Sequence, residues 1–154
     1  MKVSKHVSYK ECTMSPTAIR LGIENIPSGE QMENIKLLCE TVFEPLREHV
    51  GGPIVINSLF RSVELNKAIG GSDTSQHCAV NGAAMDLDDT LGHMTNAKMF
   101  EFIRDNIPFD QLIWEFGNDN NPDWVHVSYK ANGNRKQILK CKRVNGKTTY
   151  SLYS

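Results

Sequence analysis

The chain's 154 residues and 17.3 kDa suit one domain over 1–154, with about two-thirds of its surface buried and no need of covalent staples. Hydrophobic residues at 40% and charged residues at 23% exclude an intrinsically disordered chain. Lys plus Arg at 17 against Asp plus Glu at 18 leaves a net charge of −1, so no global field holds a polyanion and charge gives nucleic-acid binding no support.

Met1 to Lys10 carries charges and a histidine but no apolar stretch, so it does not read as a secretion signal. No apolar run approaches the roughly 18–20 residues of a membrane helix. The expectation is synthesis in the cytoplasm, no membrane partner, and export by another route if the protein works outside. Ser15-Pro16 caps and opens a short helix over 16–21, which Gly22 ends. Ser28 and Gln31 have capping-box spacing. Met32, Ile35, Leu38, Cys39, Val42, Phe43 and Leu46 then recur every three or four residues, predicting an amphipathic helix over about 29–49. Pro45 inside it is expected to kink or shorten it.

Ile54 to Phe60 reads as a buried strand. Ser62 caps a short helix whose apolar face is Leu65, Ala68 and Ile69, ended by Gly70-Gly71. Ala83–Asp88 is a short strand, and Thr95 caps a helix with Ala97, Phe100 and Ile103 on one face. Three further strands are predicted over 110–116, 124–130 and 137–144. Asn145-Gly146 is a type I′ hairpin signal leading into a last strand over 148–153. Helices mostly precede strands, so the fold class is α+β with a mostly antiparallel sheet. Four cysteines at 12, 39, 78 and 141, without a C-x-x-C, are expected as free thiols.

Chemistry concentrates between Arg61 and Asp86 and again near His126. Two histidines and a carboxylate, His77, His126 and Asp86, can form a three-ligand zinc site with an open fourth position. Strand alternation supports this: with Val125 and Val127 facing a core, His126 faces a cleft. Asp86 lies between apolar Met85 and Leu87, where a carboxylate needs a partner. Spacing alone leaves the set open, with His93 a weaker ligand candidate.

Ser75-Gln76-His77, Gly82-Ala83-Ala84-Met85-Asp86 and Trp124-Val125-His126 together resemble the motifs of the zinc D-Ala-D-Ala carboxypeptidases and related peptidoglycan peptidases, which share the hedgehog/DD-peptidase fold. Ile56 to Ser62, Glu64 to Gly71 and Asp110 to Glu115 extend the resemblance, which covers about residues 8 to 130 and looks most like phage or prophage variants. It implies N-terminal helices packed on the sheet. It also implies one zinc per chain on His77, Asp86 and His126, and hydrolysis of a bond in the peptide stem of bacterial peptidoglycan. The bond is either the terminal D-Ala-D-Ala, giving a carboxypeptidase, or an internal one, giving an endopeptidase and endolysin. In the family a zinc-held water attacks while a carboxylate takes its proton. Asp123 is the first choice for that base and Glu115 its competitor. Arg61 is expected to hold the substrate carbonyl or oxyanion, and Ser75 to touch substrate or hold a ligand.

One departure stands out. Four residues, Cys78 to Asn81, separate His77 from Gly82 where relatives usually have two, so Asp88 competes with Asp86. Parity survives only if a bulge or longer turn absorbs the extra pair. Gln76 is expected to face solvent, and Trp114 and Trp124 to support the sheet and the cleft wall. A monomer is favoured, reaching the wall through a partner's membrane pore. The alternative reading is a non-catalytic zinc-containing wall-binding module, or a virion component, of the same fold.

Overall fold

The computed structural model describes residues 1–89 and 91–153. Six strands form one sheet in the order β3-β4-β6-β5-β7-β8, comprising β3 Val55–Ser58, β4 Ala83–Asp88, β5 Gln111–Glu115, β6 Trp124–Tyr129, β7 Gln137–Val144 and β8 Lys147–Leu152. Every pair is antiparallel except β5 with β7. The α+β architecture therefore stands as the sequence predicts. Two elements were not foreseen: a small hairpin, β1 Lys2–Ser4 with β2 Val7–Ser8, and the one-turn helix α1 Tyr9–Thr13 behind it. Ser8 and Glu11 form a capping box at that helix.

The helices start where hydroxyls cap them. Ser15 opens α2 Pro16–Leu21, Ser28 opens α3 Gly29–Leu38, Ser62 opens α5 Val63–Ala68 and Thr95 opens α6 Asn96–Asn106. Pro45 neither breaks nor shortens the long helix. A π turn at Cys39–Phe43 precedes α4 Glu44–Val50, and the Glu44 amide donates to the Cys39 carbonyl five residues back. Widening the helix there accommodates a proline that has no amide to donate and a ring that crowds the preceding turn.

The sheet has two chemically distinct faces. Met85, Leu87, Leu112, Trp114, Val125 and Val127 point one way and form a continuous core with Ile35, Leu38, Phe43, Phe100 and Ile103 from the helices. Phe100 meets Trp114 edge-on, with ring centroids 5.2 Å apart. Alternation then commits Asp86, His126, Glu115 and Cys141 to the other face.

Two predicted burial patterns are corrected. The segment Ile54 to Phe60 is not a buried strand throughout: β3 lies at the sheet edge, with Val55 and Ile56 half-buried and Asn57 exposed. Only the flanking Ile54, Leu59 and Phe60 are buried. In α5 the inward residues are Leu65 and Asn66, while Ala68 and Ile69 are exposed. Asn66 is held by its amide donating to the Ser72 carbonyl at 2.8 Å.

The parallel pair is specified by one buried carboxylate. Asp110, fully buried, accepts from the Arg135 amide at 2.8 Å and from its guanidinium at 2.7 Å. The Gln76 side chain donates to it at 2.9 Å, and the Gln137 amide donates to the Asp110 carbonyl at 2.9 Å. The crossover from β6 is thereby pinned at the start of β5, and β7 runs beside it in parallel. Gln76 is half-buried in this network rather than solvent-facing as the sequence suggested.

Burial opposes ionisation of Asp110, but the Arg135 and Gln76 hydrogen bonds outweigh it and bring its carboxyl down to about 2. A depressed folded value means the unfolded chain binds the proton more tightly. The stabilisation is complete above about pH 4 and is lost as pH falls through about 2. Asp110→Asn is expected to remove roughly 2 kcal/mol of acid-side pH dependence, read from urea unfolding at pH 2.5 to 6. An unchanged profile would show that the network contributes nothing to stability.

Candidate metal centre and active-site cleft

Three segments bring the predicted ligands together. The turn Gln76–Cys78 supplies His77, β4 supplies Asp86, and β6 supplies His126 directly opposite Asp86 in register. One donor atom from each lies within 4.8 Å of the others. His77 Nε2 is 3.4 Å from Asp86 Oδ2, and His126 Nδ1 is 3.0 Å from Asp86 Oδ1. A tetrahedral zinc with bonds near 2.05 Å spaces its ligands by roughly 3.3 Å, so the donors stand at about the right separation.

The tautomer of His77 adds a chemical argument. Its Nδ1 lies 2.8 Å from the Leu59 carbonyl, an acceptor only, so Nδ1 carries the proton. Nε2 then presents a lone pair to a carboxylate oxygen, which only a cation between them, proton or metal, makes favourable. A backbone carbonyl holding the outer nitrogen is the usual support of a metal-ligating histidine. Burial alone would raise the Asp86 carboxyl, yet the facing His77 and His126 hold it far below the usual carboxylate range. Residues and geometry fit a divalent metal.

The longer gap before Gly82 is absorbed as a turn. Ala79 adopts a left-handed φ of 56° and ends the His77 turn, and Ala83 then enters the ladder opposite Tyr129. Asp86 keeps its parity. Asp88 is tied to the Asn96 amide at 2.8 Å, and His93 is exposed; neither joins the cluster. Gly82 is needed at the turn: its φ is +86°, and a Cβ there would sit 2.5 Å from the Tyr129 carbonyl oxygen. Gly82→Val is expected to destabilise the fold by more than about 2 kcal/mol and to weaken metal binding by shifting Asp86. Calorimetric metal titration and urea unfolding check both, and wild-type values would show that the turn tolerates a side chain.

The two candidate bases occupy different environments. Glu115 is 6% exposed on β5, on the face that carries His126. Burial pushes its carboxyl above the ordinary value and Asp86 adds to this, while His126 and the Cys141 thiol act against it. Asp123 is exposed before β6; its amide donates to the Glu115 carbonyl at 2.9 Å, and its parity groups it with Val125 and Val127. A buried carboxylate beside the cluster with a raised pKa has the character of a general base.

Arg61 is half-buried and faces the Asp86 charge. Its Nη2 donates to Ser75 Oγ at 3.2 Å, its amide donates to the His77 carbonyl at 3.0 Å, and its buried Nε has no hydrogen-bond partner among the described residues. Ser75 Oγ also accepts from the His77 amide at 3.3 Å, so it braces both the ligand turn and the arginine. Two residues went unnoticed in the sequence. Cys141 pairs with Glu115 across β5 and β7, and Tyr150 pairs with Cys141 across β7 and β8. Both lie on the cleft face, and the Glu115 charge reaches each. Alternation along the Asn145-Gly146 hairpin was the available signal. All four cysteines are buried and free, as expected.

Residues 5–128 match the family model for peptidase M15. The chain belongs to the peptidase M15 family. Its members are zinc metallopeptidases, and the His77, Asp86 and His126 cluster is where this chain can hold the ion. Comparison with curated proteins gives no match. The M15 match stops one residue before the end of β6 and leaves the β7–β8 hairpin outside it.

Proposed function

We propose that this M15 peptidase hydrolyses a peptide bond in the stem of bacterial peptidoglycan. The observation that carries the reading is the pairing of a His-Asp-His donor set, His77 buried and Asp86 and His126 half-buried, with a buried carboxylate, Glu115, on the same sheet face. His77, Asp86 and His126 would hold zinc, which when bound supplies Lewis-acid polarisation of a carbonyl and of water. Glu115 takes the proton of the attacking water and passes it to the leaving amine, a task suited to a carboxylate with a raised pKa. Arg61, braced by Ser75, faces the charge that develops on the carbonyl oxygen. Asp123, the first choice from sequence, stands second because it is exposed and by parity belongs to the other face.

The test is mass spectrometry of soluble fragments from purified peptidoglycan treated with zinc-loaded or chelated protein. Zinc-dependent loss of terminal D-alanine identifies a carboxypeptidase, and zinc-dependent release of stem peptides identifies an endopeptidase. No new fragment in either sample would overturn the reading.

A further inference from the structure

The turn that carries His77 is not held by its own backbone alone. Ala79 sits at a left-handed φ of 56°, a conformation that costs energy for a residue with a Cβ. The carbonyls of Cys78, Ala79 and Asn81 pair with no backbone amide among the described residues. Cys78 and Ala79 are buried, where a backbone carbonyl needs a donor.

Three side-chain amides supply those donors. Gln76 donates to the Asn81 carbonyl at 3.0 Å from within the turn. The other two come from α3. Gln31 Nε2 donates to the Cys78 carbonyl at 3.0 Å, and Asn34 Nδ2 donates to the Ala79 carbonyl at 2.9 Å. Residues three apart on a helix share a face, so α3 meets the turn with both at once. The two bonds span 47 and 45 residues of chain, so only the packing of α3 brings these donors to the turn.

That packing makes α3 a rigid place from which to grip. Ile35 and Leu38 anchor it in the core with no exposed surface. Gln31 is fixed at both ends, because its Oε1 accepts from the Ser28 amide at 2.8 Å while its Nε2 holds Cys78. The kind of donor matters as much as its position. Lysine or arginine could cap the same carbonyls but would set a positive charge beside a site that takes a cation. Carboxamides satisfy the carbonyls and add no net charge. His77 itself is tied to the chain leaving β3, through the Leu59 carbonyl and the Arg61 amide. The α3 bonds tie the next two residues to a second element.

We propose that Gln31 and Asn34 are positioning residues for the metal ligand His77, so that α3 sets the affinity of the centre without touching the ion. The proposal rests on the reading of His77, Asp86 and His126 as the metal centre and deepens it by naming what holds the ligand turn.

The test compares wild type, Asn34→Ala and the double variant Gln31→Ala with Asn34→Ala. Zinc affinity is measured by competition with a chromophoric chelator, donor geometry by the visible absorption of cobalt-substituted protein, and stability by urea unfolding of the metal-free protein. Asn34→Ala is expected to weaken zinc binding at least about threefold and the double variant at least about tenfold, near the lower end for groups that orient metal ligands. The cobalt bands are expected to shift or lose intensity in both. Alanine is a better helix former than asparagine, so Asn34→Ala is expected to stay folded and gives the answer alone if the double variant does not fold. A merely stabilising contact would lower the urea midpoint and leave the zinc Kd of the folded protein and the cobalt spectrum at wild-type values. That result, with wild type binding zinc, sinks the positioning and leaves the metal centre standing. Wild-type protein that binds neither zinc nor cobalt sinks the metal centre, and the positioning with it.

Discussion

Glu115→Gln is expected to lower kcat by 10²- to 10⁴-fold, about the contribution of one positioned base, with metal content unchanged. Asp123→Asn is expected to cost less than about threefold. The contrast follows from environment. Glutamine keeps the shape of a side chain that is 6% exposed but cannot accept the proton, whereas Asp123 is open to water. Activity should also carry an acid limb that reports Glu115. Burial, reinforced by Asp86, holds that carboxyl above the ordinary glutamate value. A base works only when deprotonated, so kcat/KM falls as pH drops through that raised value, and the limb should vanish in Glu115→Gln. A profile of kcat/KM from pH 4 to 9 on both variants checks this. A large loss in Asp123→Asn with a mild one in Glu115→Gln would exchange their roles.

Asp86→Ala is expected to abolish zinc binding and to cut activity by at least about 10³-fold. Among the described residues, Asp86 is the only donor in contact with both imidazoles, at 3.0 and 3.4 Å. Without it the set falls to two neutral nitrogens. Wild-type protein at a thousandfold excess of zinc over Kd should gain about 4 kcal/mol, or roughly 10 °C in Tm for a chain of this length. Chelation should reverse that gain, and Asp86→Ala should show no shift with zinc. Metal analysis and thermal unfolding with and without zinc suffice. A full zinc-induced shift in Asp86→Ala would mean that the ion sits elsewhere.

What the sequence made legible was what depends on neighbours in the chain. Hydroxyl caps, the 16–21 helix, the 83–88 and 137–144 strands and the Asn145-Gly146 turn all lie where local chemistry puts them, with Asn145 and Gly146 both at positive φ. The candidate metal-binding trio was proposed because its motifs resemble a family, the fold brings its three side chains together, and alternation predicted correctly which way His126 faces. What escaped depends on distant partners. The parallel β5–β7 pair is set by Asp110 meeting Arg135, 25 residues away, which no periodicity reveals. The edge position of β3 depends on where β4 pairs. The proposed preference for Glu115 over Asp123 rests on burial by other strands. The β1–β2 hairpin is too short to show alternation, although the Ser8 and Glu11 box was there to be read.

The order of the sheet also dictates when the centre can come into being. His77 and Asp86 are near neighbours in the chain, but His126 reaches them only by inserting β6 between β4 and β5. Such insertion closes a long loop and comes late and slowly in folding. Metal therefore fastens a sheet that has already formed rather than seeding it. Zinc is expected to slow unfolding while leaving the refolding rate unchanged, since its full donor set is absent until the central strand is seated.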